Sequence, residues 1–273
     1  MNPSHVYAVK RAIKTLAPPL LSAIRYSRTV MHRRREVRLQ SALTPWKEAF
    51  IQKFNYVVQG GPFAGMKYHR NGSANAYLPL LTGSYEAETH GFIETALQRA
   101  PKTIADVGCD EGFVAVGLAL RAPAATVFAF DIRAEARDNC RSLATINEVE
   151  QRVVVGGECT PATLDKICSD RSLVFCDCEG FELELLDPVK VPSLRSADII
   201  VELHDFMRID IAITPTILAR FADTHDISVT GIKRRSTEDF PCLTVLPRNV
   251  RARALHEDRV AYQQWAYLKA KSW

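Results

Sequence analysis

The chain has 273 residues, enough to bury one sizeable core with room for an appendage. Hydrophobic residues make up 47% and charged residues 24%, the balance of a globular protein rather than a disordered or fibrous one. Residues 1–40 hold nine Lys or Arg against a single acid, Glu36, a net of +8 where the whole chain is +4, so the remainder is acidic. The seven cysteines lie between Cys109 and Cys242, with no C-x-x-C pair and no zinc-type spacing to histidine. That pattern argues for a reducing, cytoplasmic compartment and against a structural metal. The apolar stretches fall far short of the ~20 residues a membrane-spanning helix needs. Pro18 and Pro19 interrupt what would be the apolar region of a secretory signal.

In chain order, residues 1–44 read as a basic arm. Val6, Val9, Ile13 and Leu16 share a helical face, and Arg33, Arg34 and Arg35 form a cluster further on. Such an arm either binds an anionic membrane surface, peripherally, or nucleic acid, or is a solvated extension. Residues 45–100 form a lead-in or lid with helical and hairpin parts. Thr44 and Pro45 start a helix bearing Trp46, Phe50 and Phe54 at four-residue spacing. Residues 56–58 and 66–68 flank a Gly-rich turn and are expected to form a hairpin. A helix is expected to follow as far as about Arg99.

From 101 to 250 strands and helices alternate. Nearly continuous apolar runs place strands near 103–107, 125–131, 152–156, 172–177 and 197–203, as strands buried on both faces require. Helices lie between them, at 134–147 and after Thr160-Pro161 and Thr214-Pro215. This is an α/β fold, a doubly wound, mostly parallel sheet with its site at the C-terminal strand ends. Further strands near 227–233 and 242–246 bring the sheet to seven. Residues 251–273 are expected to end the chain as a helix, chiefly over 255–270.

The chemistry concentrates after the first strand. Asp106-Val-Gly-Cys-Asp-Glu-Gly112 turns on Gly108 and opens a helix at Gly112, offering unpaired N–H groups to a ligand. The second strand ends on Asp131, 23 positions after Gly108, close to the roughly 20-residue spacing between a Gly turn and a ribose-binding acid. Cys109 and Asp110 stand where a dinucleotide site wants glycine, and Asp110 and Glu111 would repel a pyrophosphate. A ribose-bearing cofactor without phosphate fits better. An NAD-dependent oxidoreductase and a non-catalytic binding module remain the competing readings.

These motifs resemble those of the class I S-adenosylmethionine-dependent methyltransferases, whose D/E-x-G-x-G-x-G turn appears here with Asp110 in place of the middle glycine. Together with Asp177-Cys-Glu-Gly180, they are similar to the FkbM-type branch, which reads D-I-G-A-N-x-G and later D-x-E-G. The resemblance spans roughly residues 78 to 246 and implies S-adenosyl-L-methionine as cofactor, a seven-stranded sheet with an antiparallel last strand, and O-methylation of a hydroxyl on a small molecule or glycan. It further implies that Tyr85, Glu86, Asp106, Gly108, Cys109, Asp110 and Gly112 line the methionine side of the cofactor. Asp131 would hold the ribose, Ile132 and Glu158 would lie by the adenine, and Asp177 would touch the cofactor.

Glu179 would face the acceptor, and His204, oriented by Asp205 or Glu202, is the candidate general base. Cys178 is read as a bystander, because its neighbours lack the P-C pattern of C5-pyrimidine methylation. No N/D-P-P-aromatic motif marks amine methylation, and no nucleic-acid partner is expected. His204 with Asp205 and Asp177 could bind a divalent metal, but the spacing matches no metal motif, and none is expected.

Overall fold

The structure is a computed structural model that describes residues 43–69, 76–205, 212–257, 259 and 263–273. The expected membrane-binding arm, residues 1–40, lies outside the described residues. Of the unit Met1–Glu48 only 43–48 are described, and they are helical. Ala49–Trp273 form a second compact unit, which carries the sheet.

Seven strands form one sheet: β1 (Thr103–Val107), β2 (Thr126–Phe130), β3 (Val153–Gly156), β4 (Ser172–Cys176), β5 (Asp198–Leu203), β6 (His225–Gly231) and β7 (Gln264–Ala270). Their order is β3-β2-β1-β4-β5-β7-β6. β1 to β5 are parallel, and β7 enters antiparallel between β5 and β6. This is the Rossmann-like arrangement expected from the alternation of apolar runs and helices. The central strands β1, β4 and β5 are almost wholly buried, so both faces must be covered. On one face Ala105 and Val107 belong to a core with Leu164, Leu183, Leu185, Ile213, Ile217 and Phe221. Fully burying each such aliphatic side chain contributes about 1.5–3 kcal/mol. Helix Phe113–Arg121 packs on helix Ala134–Ile146 and on β2 and β3.

Register positions the site. Val107 is level with Phe130 and with Cys176, Phe130 with Gly156, and Cys176 with Val201. The next residues, Gly108, Asp131, Gly157, Asp177 and Glu202, therefore emerge in one row along the C-terminal edge. Switching from β1 to a neighbour on either side also makes this the place where a doubly wound sheet opens a crevice.

Three expectations change. The residues expected as a C-terminal helix, 255–270, instead contain β7, and the nearby helix is the shorter Arg248–Ala254. The expected strand at 242–246 falls in a 3₁₀ turn, Pro241–Val245. Pro241 cannot donate to a ladder, and its fixed φ favours that turn. The hairpin of the lead-in reduces to one antiparallel bridge, Val57 to Lys67. Asn147 then ties this segment to the end of helix Ala134–Ile146: its Oδ1 accepts from Lys67 N at 2.9 Å and its Nδ2 donates to Lys67 O at 2.8 Å.

Candidate active site

Gly108 takes φ +86°, and a Cβ there would lie 1.8 Å from the carbonyl oxygen of Asp177. The glycine that the sequence offered for approach to a ligand thus serves first to let the β1 and β4 exits touch. Gly112, at φ +88°, starts helix Phe113–Arg121 tight against Cys140. Three acids singled out from the sequence, Glu86, Asp110 and Glu179, also sit at positive φ of 47°, 45° and 53°. Non-glycine residues held there cost about 1–3 kcal/mol each, and such strain gathers where a side chain must be aimed.

Two cavities open beside this edge. The larger, about 760 Å³, is lined by Val107, Gly108, Asp110, Phe130, Asp131, Ile132, Gly157, Glu158, Asp177 and Glu179 among others. The smaller, about 220 Å³, holds Tyr68, Glu86, Asp106, Cys109, Glu111 and Glu257. Tyr85, Gly108, Asp110 and Asp177 border both. All the expected cofactor residues except Gly112 therefore line one or both of these cavities, and Gly112 stands at the helix start. Ile132 is 79% exposed, an apolar side chain facing water at the cavity wall.

Asp131 is the most heavily bonded of them. Its carboxylate accepts from Asp110 N (3.1 Å), Arg133 N (2.8 Å), Arg133 Nε (3.2 Å) and Arg133 Nη2 (3.1 Å). Arg133 also reaches Asp110 Oδ1 at 2.7 Å. Burial alone would raise the Asp131 pKa, but the Arg133 bonds outweigh it and hold the carboxyl below its usual value. The sequence analysis missed Arg133, although an arginine two residues after a turn acid is the signal that could have found it.

Glu111 is buried and accepts from Tyr68 Oη at 2.6 Å. Asp106 is buried and accepts from the Ala115 N–H. Burial and the charges of Asp131 and Asp110 outweigh that bond and push its pKa from 3.8 to about 7. The folded chain therefore holds a proton that the unfolded chain releases. Its contribution to stability is full below pH 3.8 and is lost as pH rises through about 7. The swing is about 4 kcal/mol at most. In urea unfolding at pH 5 and pH 7, the native chain should lose about 1 kcal/mol per pH unit more than Asp106→Asn. Equal pH slopes in the two would refute this.

The acceptor side is a histidine inside a ring of acids. His204 is fully buried; its Nδ1 donates to Glu182 Oε1 at 2.7 Å. Nε2 lies 3.3 Å from Glu202 Oε2, 3.5 Å from Asp177 Oδ1 and 3.6 Å from Glu179 Oε2. Burial opposes its charge, but bonds to Glu182 and Glu202 and the charges of Glu202 and Asp177 prevail, raising its pKa to about 11. An imidazolium has no lone pair to take a proton, so as a general base His204 would first have to lose one. Asp205 does not orient it either. Its Oδ1 accepts from Thr214 N at 3.0 Å, capping helix Ile213–Phe221. Glu182 does the orienting, and sequence reasoning missed it; Gly180 N donates to the same Oε1 at 3.1 Å and ties the 177–180 turn to the ring.

Burial, then the charge of Glu202, drive the Asp177 carboxyl well above its usual range, and the same two causes act on Glu86. Beside them Arg235 and Arg259 pair with Glu88 and Glu257, another group the sequence did not reveal. Glu257 Oε1 in turn accepts from Glu86 N at 2.8 Å and fixes the strained acid. Cys178 lines the larger cavity with its Sγ 3.5 Å from that of Cys176.

No family model and no curated protein matches the chain. Among solved structures it is similar to cofactor-bound Rv0187 from MTB, at 14% identity over 68% of this chain and 81% of that one, TM-score 0.46. It is also similar to the O-methyltransferase TomG from Streptomyces achromogenes in complex with SAM (15% identity, 67% and 80% covered, TM-score 0.44). The O-methyltransferase from Bacillus cereus in complex with SAH gives 13% identity, 67% and 81% covered, and TM-score 0.44.

Proposed function

We propose that the chain is an S-adenosylmethionine-dependent methyltransferase of FkbM-like type that O-methylates a hydroxyl of a small molecule or glycan. The observation that carries this reading is the pair of cavities along the sheet edge, the larger of which is lined together by Gly108, Asp110, Asp131 and Asp177. The residues suit the group. Asp131 offers oxygens to a ribose diol, while Ile132 and Phe130 give an apolar wall for adenine. Asp110 supplies negative charge, and the carboxyl groups of Glu86 and Asp177 supply polar oxygens, toward an ammonium and a sulfonium.

When bound, the cofactor would supply a methyl group already activated on sulfur. The protein's task is then chiefly alignment, which can supply ~7–11 kcal/mol, against a factor of about 10²–10⁴ from a general base. The imidazolium of His204 therefore does not weaken the reading. Glu179, 68% exposed and lining the larger cavity, is the residue we assign to meet the acceptor. His204 holds the acids around it in place.

Isothermal titration of the full chain separates this reading from its competitor. S-adenosylmethionine or its demethylated product should bind with micromolar or better affinity, and NAD should not compete. Binding of NAD alone would overturn the proposal. Transfer of labelled methyl to a hydroxyl in fractionated small molecules and glycans then tests the acceptor class, and label appearing only in nitrogen-linked products would refute O-methylation.

A further inference from the structure

We infer that Cys176 and Cys178 are a paired-thiol modification site, which hydrogen peroxide, a small uncharged oxidant, closes to a reversible disulfide. The two sulfurs stand 3.5 Å apart. Cys176 ends β4 and Cys178 lies two residues on, the spacing that puts alternate side chains on one face. Two steps along an extended strand span about 6.4–6.8 Å between Cα atoms. Disulfides accept Cα separations of about 4.4–6.8 Å, so the pair closes at the upper end of that range or with a slight shortening of the strand exit.

Access divides the roles of the two sulfurs. Cys178 is half-buried and lines the larger cavity, whereas Cys176 is fully buried. The bond to Cys178, and then burial, hold the Cys176 thiol well above its usual pKa, so it stays protonated. Cys159 lines the same cavity but is buried, and burial pushes its thiol up to about 12. Cys109 and Cys140 also bond each other, but both are buried. The thiolate is the nucleophile, and Cys178 is the sulfur an oxidant in the cavity meets first. The acids lining that cavity, Asp131, Glu158 and Glu179 among them, disfavour an anionic oxidant, whereas peroxide carries no charge.

In the first step the Cys178 sulfur attacks one peroxide oxygen. The O–O bond breaks, and the departing hydroxide takes up the proton that Cys178 released, leaving water and a sulfenic acid. The Cys176 sulfur then attacks the Cys178 sulfur. The S–O bond breaks, and hydroxide leaves with the Cys176 proton as a second water. Two thiols are oxidised and one peroxide is reduced to two waters. Bonding draws the sulfurs from 3.5 Å to ~2.05 Å and pulls on the residue between them. That residue, Asp177, is pinned: its N donates to Val107 O at 2.9 Å and its carbonyl oxygen abuts Gly108. It also lines both cavities, so the bond reshapes a wall of each. A strained disulfide of this kind is readily reduced. Its effect on cofactor binding rests on the methyl-transfer reading; the modification itself does not.

The test treats the full reduced chain with hydrogen peroxide, alkylates it in denaturant and digests it with trypsin. Cleavage after Arg171 and Lys190 puts Cys176 and Cys178, and no other cysteine, in one peptide. That peptide should escape alkylation and weigh two hydrogens less, while the remaining cysteines are alkylated. Dithiothreitol should restore both thiols. Cys176→Ala should leave Cys178 as a sulfenic acid that dimedone captures; should that variant not fold, Cys178→Ser should leave Cys176 open to alkylation after peroxide. A peptide that stays fully alkylated, or Cys178 joined to Cys159 instead, overturns the site. By calorimetry, S-adenosylmethionine should bind the oxidised native chain at least about tenfold more weakly than the reduced chain, and should bind Cys178→Ser equally before and after peroxide. Equal affinity in the two native forms overturns the effect on the cavities. Binding to neither form counts against the methyl-transfer reading, and the peptide mass then decides the modification.

Discussion

Asp131→Ala is expected to weaken S-adenosylmethionine binding by about 100-fold or more. The carboxylate is the acceptor proposed for both ribose hydroxyls, and a hydrogen bond to a charged group is worth about 1.5–3 kcal/mol. Two such bonds amount to at least ~3 kcal/mol, or about two powers of ten in Kd. Arg133 is the obstacle, since its guanidinium already fills acceptor positions on Asp131. Its side chain is 61% exposed, however. The Asp131 side chain is only 6% exposed, but the arginine end of the pair reaches solvent and can swing away to leave its acceptor positions to the diol. Arg133→Ala should consequently bind at least as tightly as the native chain. Calorimetry on the native chain and both variants checks the pair of outcomes. A tenfold loss in Arg133→Ala with little loss in Asp131→Ala would mean that the arginine, not the acid, recognises the ligand.

Gly108→Ala is expected to be the most destabilising single methyl in the sheet. Two costs combine. The residue sits at φ +86°, where an alanine is strained by about 1 kcal/mol, and its new Cβ would overlap the Asp177 carbonyl at 1.8 Å. Backbone cannot rotate away as a side chain can, so β1 and β4 must separate at the very exit that forms the site. Overpacking of this kind adds about 1–3 kcal/mol or more, a large share of the ~5–15 kcal/mol that holds a typical chain folded. Gly65→Ala is the matched control: φ is +91° and nothing lies within 4 Å of the added carbon. Thermal unfolding should show a small shift at 65 and, at 108, a drop of several degrees more or loss of soluble protein. Equal shifts at the two positions would refute the clash.

Legibility followed burial. β1 to β5 were read to within a residue or two because each is a continuous apolar run in the sequence, and in the central β1, β4 and β5 coverage of both faces requires one. Asp131 was legible because it ends such a run at a spacing set by one strand–helix–strand unit. β7 was not. Gln264, Ala266, Leu268, Lys269 and Ala270 favour helix in isolation, and only pairing with β5 on one side and β6 on the other makes a strand of them. Trp265 and Tyr267, alternate aromatics that end fully or nearly fully buried, were the one local hint.

The sequence by itself determined the alternation of strands and helices and the turn at 108–112, because each depends on residues close along the chain. The tertiary structure alone decided which charges meet. His204 gains Glu182 from 22 positions away, and Glu86 gains Glu257 from 171 positions away. A side chain's protonation and partners depend on distances in space across elements, and those distances exist only once the sheet has brought β4, β5 and the lead-in to one edge.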